Sequence, residues 1–288
     1  MKVMTLTMLM LGIALSLAAC VIEDDGDNGS GGTSTSSGTN SSSGVGGVGG
    51  LGTGAGGGQP GGMGGSTSNI QPPLGESSHG TGGPAPVSGA LQQAGGVSYR
   101  LLVPSAPAQP TPLMIVFSGT EGGQNMIANL TQVAEYTGTD GIIRAVLDGV
   151  DYYGDGAAGA TVLDDLRAQY DIDNDRTYLL GESAGTQAAL QLGFQLRQSY
   201  FAAFWANDVN ATAVPAQSAS QLGFAPWGQA GPGGAFALAQ SIVDGMEAAG
   251  YQLPVPAPYA GAGADSHGST EQFLAAMQFF PGKVRSAR

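Results

Sequence analysis

The segment Thr177–Gly185, with the sequence TYLLGESAG, is the most informative part of this chain. Its first four residues form an apolar run typical of a buried strand, and a helical pattern follows from Gln187 onward. Between them, G-x-S-x-G lets the chain turn sharply and leaves the serine hydroxyl clear of the backbone. We therefore predict Ser183 as a nucleophile. The alternative is a glycine-punctuated turn in an inert α/β domain.

Apolar runs and helical patterns alternate along the second half of the chain. The predicted strands are Val97–Val103, Leu113–Phe117, Gly141–Leu147, Thr177–Leu180 and Phe201–Ala206, and the predicted helices are Gln124–Tyr136, Thr161–Gln169, the segment after Ser183, Ala235–Ala249 and Gln272–Phe280. This alternation predicts an α/β fold, a mostly parallel sheet with helices on both faces. Ligands of such sheets bind beyond the carboxyl ends of the strands, where Ser183 would lie.

The domain supplies one candidate base for this serine. A serine hydroxyl needs a base to accept its proton, an acid to orient that base, and N–H donors for the developing oxyanion. His267 is the only histidine between residues 91 and 288, and it lies in a glycine-rich loop before the last predicted helix. We predict His267 as the base, the alternative being a histidine on a surface loop.

Two backbone N–H groups are candidates for the oxyanion hole. The first belongs to Ala184, the residue after the nucleophile. The second belongs to Thr120, in the sharp bend Ser118–Gly123 that follows the strand Leu113–Phe117. For this bend, a simple glycine turn is the alternative.

Four segments carry a family pattern: YRLLVP at 99–104, PLMIVFSG at 112–119, LDG at 147–149 and YDIDNDRTYLLG at 170–181. They resemble motifs of the polyhydroxybutyrate depolymerase and feruloyl esterase group of secreted α/β-hydrolases. Ser118 stands where that group usually has histidine. The resemblance covers nearly all of residues 97–280 and implies an α/β-hydrolase fold and hydrolysis of a carboxylic ester, with neither cofactor nor metal.

The acid of the site departs from the pattern that the resemblance implies. Such hydrolases commonly place it after the strand before the long helix, but residues 227–232 contain no Asp or Glu. Asp208, one strand earlier, is our first candidate, and Asp244, inside a helix, is the second. Asp265 precedes His267 too closely to bend back easily. If no carboxylate reaches His267, a weaker Ser–His dyad remains.

The first 20 residues predict a lipoprotein signal peptide. Lys2 is followed by a nearly unbroken apolar run over residues 4–19, and LAAC at 17–20 resembles a bacterial lipobox. The run is shorter than the about 20 residues of a transmembrane helix. Cys20, the only cysteine, is predicted as the lipidation site, the alternative being an incidental cysteine beside an ordinary cleavage site. Val21, in place of Asp, resembles lipoproteins sent to the outer membrane.

Residues 21–90 predict a disordered tether and residues 91–288 a single domain. Gly, Ser and Thr dominate the tether, and such a composition buries too little apolar surface to fold. The net charge of −13 and the lack of any basic cluster argue against nucleic acid as a partner. The expected partners are an ester substrate and, through lipidated Cys20, the membrane; the oligomeric state is left open.

Two further features are interpreted as structural. Asp171–Asp175 resembles the start of a calcium loop, but Arg176 replaces the required glycine, so we interpret the segment as a capped turn without metal. Trp205 and Trp227 are candidates for lining a substrate pocket, and we interpret them as partly buried core residues.

The whole chain is thus interpreted as a serine ester hydrolase presented on a tether at the bacterial envelope. The rival interpretation is a catalytically silent hydrolase-fold module that binds a surface glycan or a protein partner. Ser183 and His267 favour the enzyme, whereas the missing acid at residues 227–232 favours the silent module. Polyester, feruloyl or acetyl esters, and lipid are equally compatible substrates.

Overall fold

The computed structural model describes residues 71–81 and 87–287. The predicted signal peptide, Cys20 and most of the predicted tether lie outside these residues. In the part that is described, no helix is long and apolar enough to cross a membrane.

One seven-stranded sheet organises the described residues, with the strand order β1-β2-β4-β3-β5-β6-β7. From β4 to β7 every neighbouring pair is parallel, whereas β1 pairs with β2, and β2 with β4, antiparallel. The strands are Leu91–Ala94 (β1), Val97–Leu102 (β2), Thr111–Phe117 (β3), Ile143–Leu147 (β4), Ile172–Glu182 (β5), Ala203–Asn207 (β6) and Trp227–Ala230 (β7).

Helices cover both faces of the sheet. They are Gly122–Thr137 (α1), Gly156–Gln169 (α2), Thr186–Gln191 (α3), Ala219–Leu222 (α4), Phe236–Ala248 (α5) and Thr270–Phe279 (α6), with short 3₁₀ turns at Ser183–Gly185 and Gln198–Tyr200 and a π turn at Leu192–Leu196. Alternate residues of β3 enter two separate cores. Leu113 and Ile115 pack in the core that includes α2, α3 and α5, and Met114 and Val116 in the core that includes α1 and α6.

The predicted α/β class and mostly parallel sheet are confirmed by this topology. β1 was not predicted, because its sequence LQQA contains no apolar run. In the structure only Ala94 of its four residues is buried. β5 begins earlier than predicted, at Ile172, because residues 172–176 continue the strand toward the nucleophile. Two aspartates of this segment form ion pairs: Asp173 pairs with Arg176 at 2.6 Å, and Asp175 with Arg285 at 3.1 Å.

Residues 71–81, which the sequence assigned to the tether, lie against the domain. Asn174 Nδ2 donates to the Pro73 carbonyl at 3.1 Å, and the Asn174 N–H donates to the Glu76 carbonyl at 3.3 Å. Ser78 Oγ donates to the Tyr170 carbonyl at 2.8 Å. Composition alone missed this segment because its hydrogen bonds join polar and backbone groups and bury little apolar surface. Residues 71–81 therefore contact the domain that was predicted to begin at residue 91.

These contacts predict that a chain beginning at residue 91 is less stable than one beginning at residue 69. The shorter chain lacks the Pro73 and Ser77 carbonyls that accept hydrogen bonds from the buried side-chain amide of Asn174, and a typical intramolecular hydrogen bond contributes about 0.5–1.5 kcal/mol. Urea unfolding of both chains measures the difference. Equal unfolding midpoints would show that residues 71–81 add nothing to the fold.

Candidate active site

Ser183 lies at the sharp turn between the carboxyl end of β5 and α3. Its backbone φ is 46°, a left-handed conformation that is strained for a non-glycine residue. The turn packs against the loop after β3 because Gly185 has no side chain. A Cβ atom there would lie 2.6 Å from the backbone oxygens of Phe117 and Ser118. The sequence GESAG thus gives a strained serine where the backbones of two loops meet.

His267, the predicted base, lies beside this serine. Its Nε2 atom and Ser183 Oγ are 2.9 Å apart, within hydrogen-bonding distance. The ring belongs to an exposed residue of the loop before α6, and Ser269, two residues later, caps that helix by accepting the N–H of Gln272 at 3.3 Å. This geometry lets an imidazole accept the serine proton.

Asp208, the first candidate for the acid, lies directly after β6 and is 1% exposed. Its backbone φ of 49° is also left-handed. Its Oδ2 accepts the N–H of Gly268 at 2.5 Å, and its Oδ1 accepts Gln272 Nε2 at 2.6 Å. Asp208 therefore fixes the backbone beside His267 from a buried position.

The hydrogen bond expected from His267 Nδ1 to Asp208 is not formed in this structure. Across residues 71–81 and 87–287, the one hydrogen bond of the His267 ring is that with Ser183. Instead, the Asp208 carboxylate accepts the backbone N–H of Gly268, the residue that follows His267. The role of Asp208 as the acid remains a prediction.

The other candidate acids lie elsewhere. Asp244 is exposed on α5 and accepts Gln240 Nε2 at 2.7 Å. Asp265 is exposed, and its carboxylate accepts Ser266 Oγ at 3.4 Å. In the loop after β7, where the resemblance implied an acid, the Gly233 N–H donates to Gln272 Oε1 at 3.2 Å. Of the three candidate acids, Asp208 is the one that is buried.

The loop that carries Thr120 passes directly beside the nucleophile. A Cβ atom on Gly119 would lie 3.2 Å from Ser183 Cβ. The buried Ser118, at the position of the expected histidine, accepts the Gly149 N–H through its Oγ at 3.1 Å and so joins this loop to the turn after β4. Ala184 lies in the first turn after Ser183, where N–H groups have no intrahelical partner. The oxyanion roles of Thr120 and Ala184 stay predictions.

Two carboxyl groups that the sequence analysis did not assign lie at the same site. Glu182 is 7% exposed, and its Oε2 accepts Asn207 Nδ2 at 2.8 Å. Burial raises the pKa of Glu182 well above its usual range, and the negative charges of Asp208 and Glu121 raise it further. The Glu121 carboxylate accepts the Gly119 N–H at 3.0 Å, and burial raises its pKa as well. The only sequence signal was the place of Glu182 next to Ser183.

The two tryptophans belong to the packing around the site. Trp205 is buried, packs edge-on against Phe279, and donates its Nε1–H to Asn207 Oδ1 at 2.8 Å. Trp227 is half-buried, and Lys283 Nζ lies 4.6 Å from its ring centroid.

A cavity of about 230 Å³ is lined by Tyr99, Glu121, Asp148 and Tyr152, among others. Within the described part of the chain, no cluster of His, Cys, Asp and Glu could hold a metal ion.

The sheet order and the serine at the β5–α3 turn define the class of this protein. A mostly parallel sheet that begins with an antiparallel strand pair and carries G-x-S-x-G at a strand-to-helix turn is the α/β-hydrolase fold. The chain therefore has an α/β-hydrolase fold.

Solved structures with similar folds include three esterases or depolymerases. A thermostable esterase is 15% identical with a TM-score of 0.47, and the match covers 63% of this chain and 56% of that protein. A poly(3-hydroxybutyrate) depolymerase from Bordetella parapertussis is 16% identical with a TM-score of 0.45, covering 62% and 89%. The metagenomic carboxylesterase EstE1 is 15% identical with a TM-score of 0.46, covering 73% and 88%. The fold assignment rests on the sheet topology, because all three TM-scores are low.

No protein-family model matches the chain, and no curated protein matches it. The chain spans little more than half of the thermostable esterase.

Proposed function

We propose that this protein is a serine hydrolase of carboxylic esters. The observation that carries the proposal is the distance of 2.9 Å between Ser183 Oγ and His267 Nε2 at a strained strand-to-helix turn. A left-handed serine is costly for the fold and is typical of functional sites. A histidine from a loop 84 residues later completes a nucleophile–base pair.

In the proposed reaction, His267 Nε2 takes the proton of Ser183 Oγ while that oxygen attacks the ester carbonyl. The N–H groups of Ala184 and Thr120 are the proposed donors to the oxyanion that forms. The imidazolium then gives its proton to the departing alcohol oxygen, which leaves an acyl group on Ser183. Water, activated by the same histidine, releases the acid and restores the serine.

A second candidate function is the catalytically silent module, favoured by one observation. No carboxylate within the described residues accepts a hydrogen bond from the His267 ring. Loss of the orienting carboxylate costs about 10⁴-fold in rate in a serine protease, so a site without it would be a poor enzyme. A binding module would bind a glycan or a protein partner and show no turnover.

Hydrolysis of p-nitrophenyl acetate, butyrate and octanoate by the purified full chain separates the two functions. The hydrolase is expected to release p-nitrophenol at a rate that saturates with substrate and differs between the acyl chains. The silent module would show no release above the buffer rate with any of the three esters.

We also propose that the domain is held at the bacterial envelope through a lipid on Cys20. The proposal rests on the lipobox-like LAAC sequence and on Cys20 as the only cysteine. The Gly/Ser-rich chain between Cys20 and residue 71 would then hold the domain away from the lipid surface. A single acyl chain binds a membrane only weakly, so stable anchoring requires more than one chain on the cysteine.

Replacing Cys20 with Ser is expected to abolish the lipid modification, because the hydroxyl cannot form the thioether that carries the lipid. The intact mass and the N-terminal residue of both proteins measure this, and detergent phase partitioning shows whether the wild type carries its anchor. A wild-type mature protein that starts at another residue, or one that begins at Cys20 without added acyl mass, would refute lipidation of Cys20.

A further inference from the structure

The Glu182 carboxyl is buried without a cationic partner. Within the described residues, every ion pair found lies elsewhere, at Asp164, Asp173 and Asp175. The one side-chain amide that donates to Glu182 is Asn207 Nδ2, at 2.8 Å. Trp205 Nε1–H donates to Asn207 Oδ1 at 2.8 Å and so fixes the orientation of this amide. Because Glu182 and Asn207 are paired neighbours in β5 and β6, the contact is built into the sheet register.

The titratable groups that face Glu182 from the surrounding elements are acidic. Asp208 follows Asn207, the residue that pairs with Glu182 across β5 and β6, and the negative charges of Asp208 and of Glu121, in the loop after β3, act on Glu182. Asp208 already accepts two N–H groups, from Gly268 and Gln272. Two ionised carboxylates close together inside a protein repel each other strongly, and a proton on one of them relieves this repulsion.

We propose that Glu182 is a positioning residue, whose buried carboxyl group donates a hydrogen bond to the Asp208 carboxylate. Glu182, Gln272 and the Gly268 N–H together fix the direction of this carboxylate, and Gly268 holds the loop that places His267 on Ser183. This role in the reaction rests on the proposed ester hydrolase, whereas the shared proton does not depend on it.

The shared proton has a definite consequence for stability. Below the ordinary carboxyl pKa of 4.5, Glu182 is protonated in both the folded and the unfolded chain and contributes no pH dependence. Above it, the unfolded chain releases the proton while the folded chain retains it. Stability is therefore lost as pH rises from about 4.5 to the raised folded pKa of Glu182, by about tenfold in the unfolding constant for each pH unit.

Glu182→Gln tests this directly, since the amide can accept from Asn207 and donate to Asp208 but cannot ionise. Urea unfolding of the full chain is measured from pH 4 to pH 8 for the wild type and the variant. The wild-type unfolding constant is expected to rise relative to that of the variant by at least tenfold over this range, and the two are expected to converge near pH 4. Glu247→Gln, the same chemical change on the exposed face of α5, is expected to give a pH-independent difference.

If the ratio of the wild-type unfolding constant to that of Glu182→Gln does not change with pH, or falls as pH rises, the proposal is overturned.

The positioning role is tested separately, by kcat and KM. Glu182→Leu removes the proton donor and is expected to lower kcat by at least tenfold with KM within about threefold, whereas Glu182→Gln restores most of kcat. Equal kcat for the Leu and Gln variants would overturn the positioning role. Absence of turnover in the wild type would count against the proposed hydrolase alone, because the unfolding measurement needs no substrate.

Discussion

The Ser183→Ala variant is expected to lose hydrolysis of p-nitrophenyl esters by at least about 10⁴-fold in kcat. Ser183 Oγ is the atom that bonds to the acyl group, and its removal leaves only the oxyanion donors and substrate binding. The loss requires no change in the fold, because Ala fits the space of the buried serine and the 2.9 Å contact is made by the hydroxyl alone. Initial rates at saturating substrate, with unfolding curves for both proteins, measure the effect.

A matched control is Ser266→Ala, which removes an exposed hydroxyl next to His267. Its Oγ reaches Asp265 at 3.4 Å and makes no contact with Ser183 in the described structure. This variant is expected to keep kcat within about threefold. Equal rates for wild type and Ser183→Ala would eliminate the serine mechanism.

The Asp208→Asn variant is expected to lower kcat by about 10²–10⁴-fold. The change removes the negative charge that would stabilise the imidazolium. It also leaves one acceptor where two donors, Gly268 N–H at 2.5 Å and Gln272 Nε2 at 2.6 Å, now bind. One of these donors would therefore face the new amide group, which disturbs the His267 loop. Steady-state kinetics of the purified variant measure kcat and KM.

Asp244→Asn is the matched control, because Asp244 was the second candidate acid and is exposed on α5. Its only side-chain contact in the described structure is with Gln240 at 2.7 Å. We expect its kcat to stay within about twofold of the wild type. The opposite order of effects would transfer the acid to Asp244, and no effect from either change would leave a Ser–His dyad.

Much of the fold could be predicted from the sequence because its central strands are uniformly apolar. Leu113–Phe117 and Thr177–Leu180 are buried in parallel strands, and their apolar runs are typical of such strands. The two strands Val97–Leu102 and Leu91–Ala94 run antiparallel at one edge, which no composition rule specifies. The contacts of residues 71–81 with the domain were also missed, because they are hydrogen bonds of polar and backbone groups and leave no apolar pattern in the sequence.

The candidate site was predictable only in part. Ser183 has a local signal in its strand–turn–helix context, and His267 was found because the domain has no other histidine. Asp208 could be selected by its position after a strand, but its contact with Gly268 depends on loop geometry that the sequence pattern does not contain. Glu182 was not considered, because its side chain contacts Asn207 of the neighbouring strand, 25 residues later in the chain. No local sequence pattern reports a contact over this distance.

The claim that Ser183 is the nucleophile can be tested by its covalent chemistry. The full chain is incubated with a fluorophosphonate, which adds a phosphonyl group to an activated serine with loss of fluoride, and the intact mass and the modified peptide are determined. We expect one adduct per chain, on Ser183, with labelling greatly slowed in the His267→Ala variant. An unmodified chain, an adduct on another residue, or labelling that is unchanged in the His267→Ala variant would contradict the proposed site.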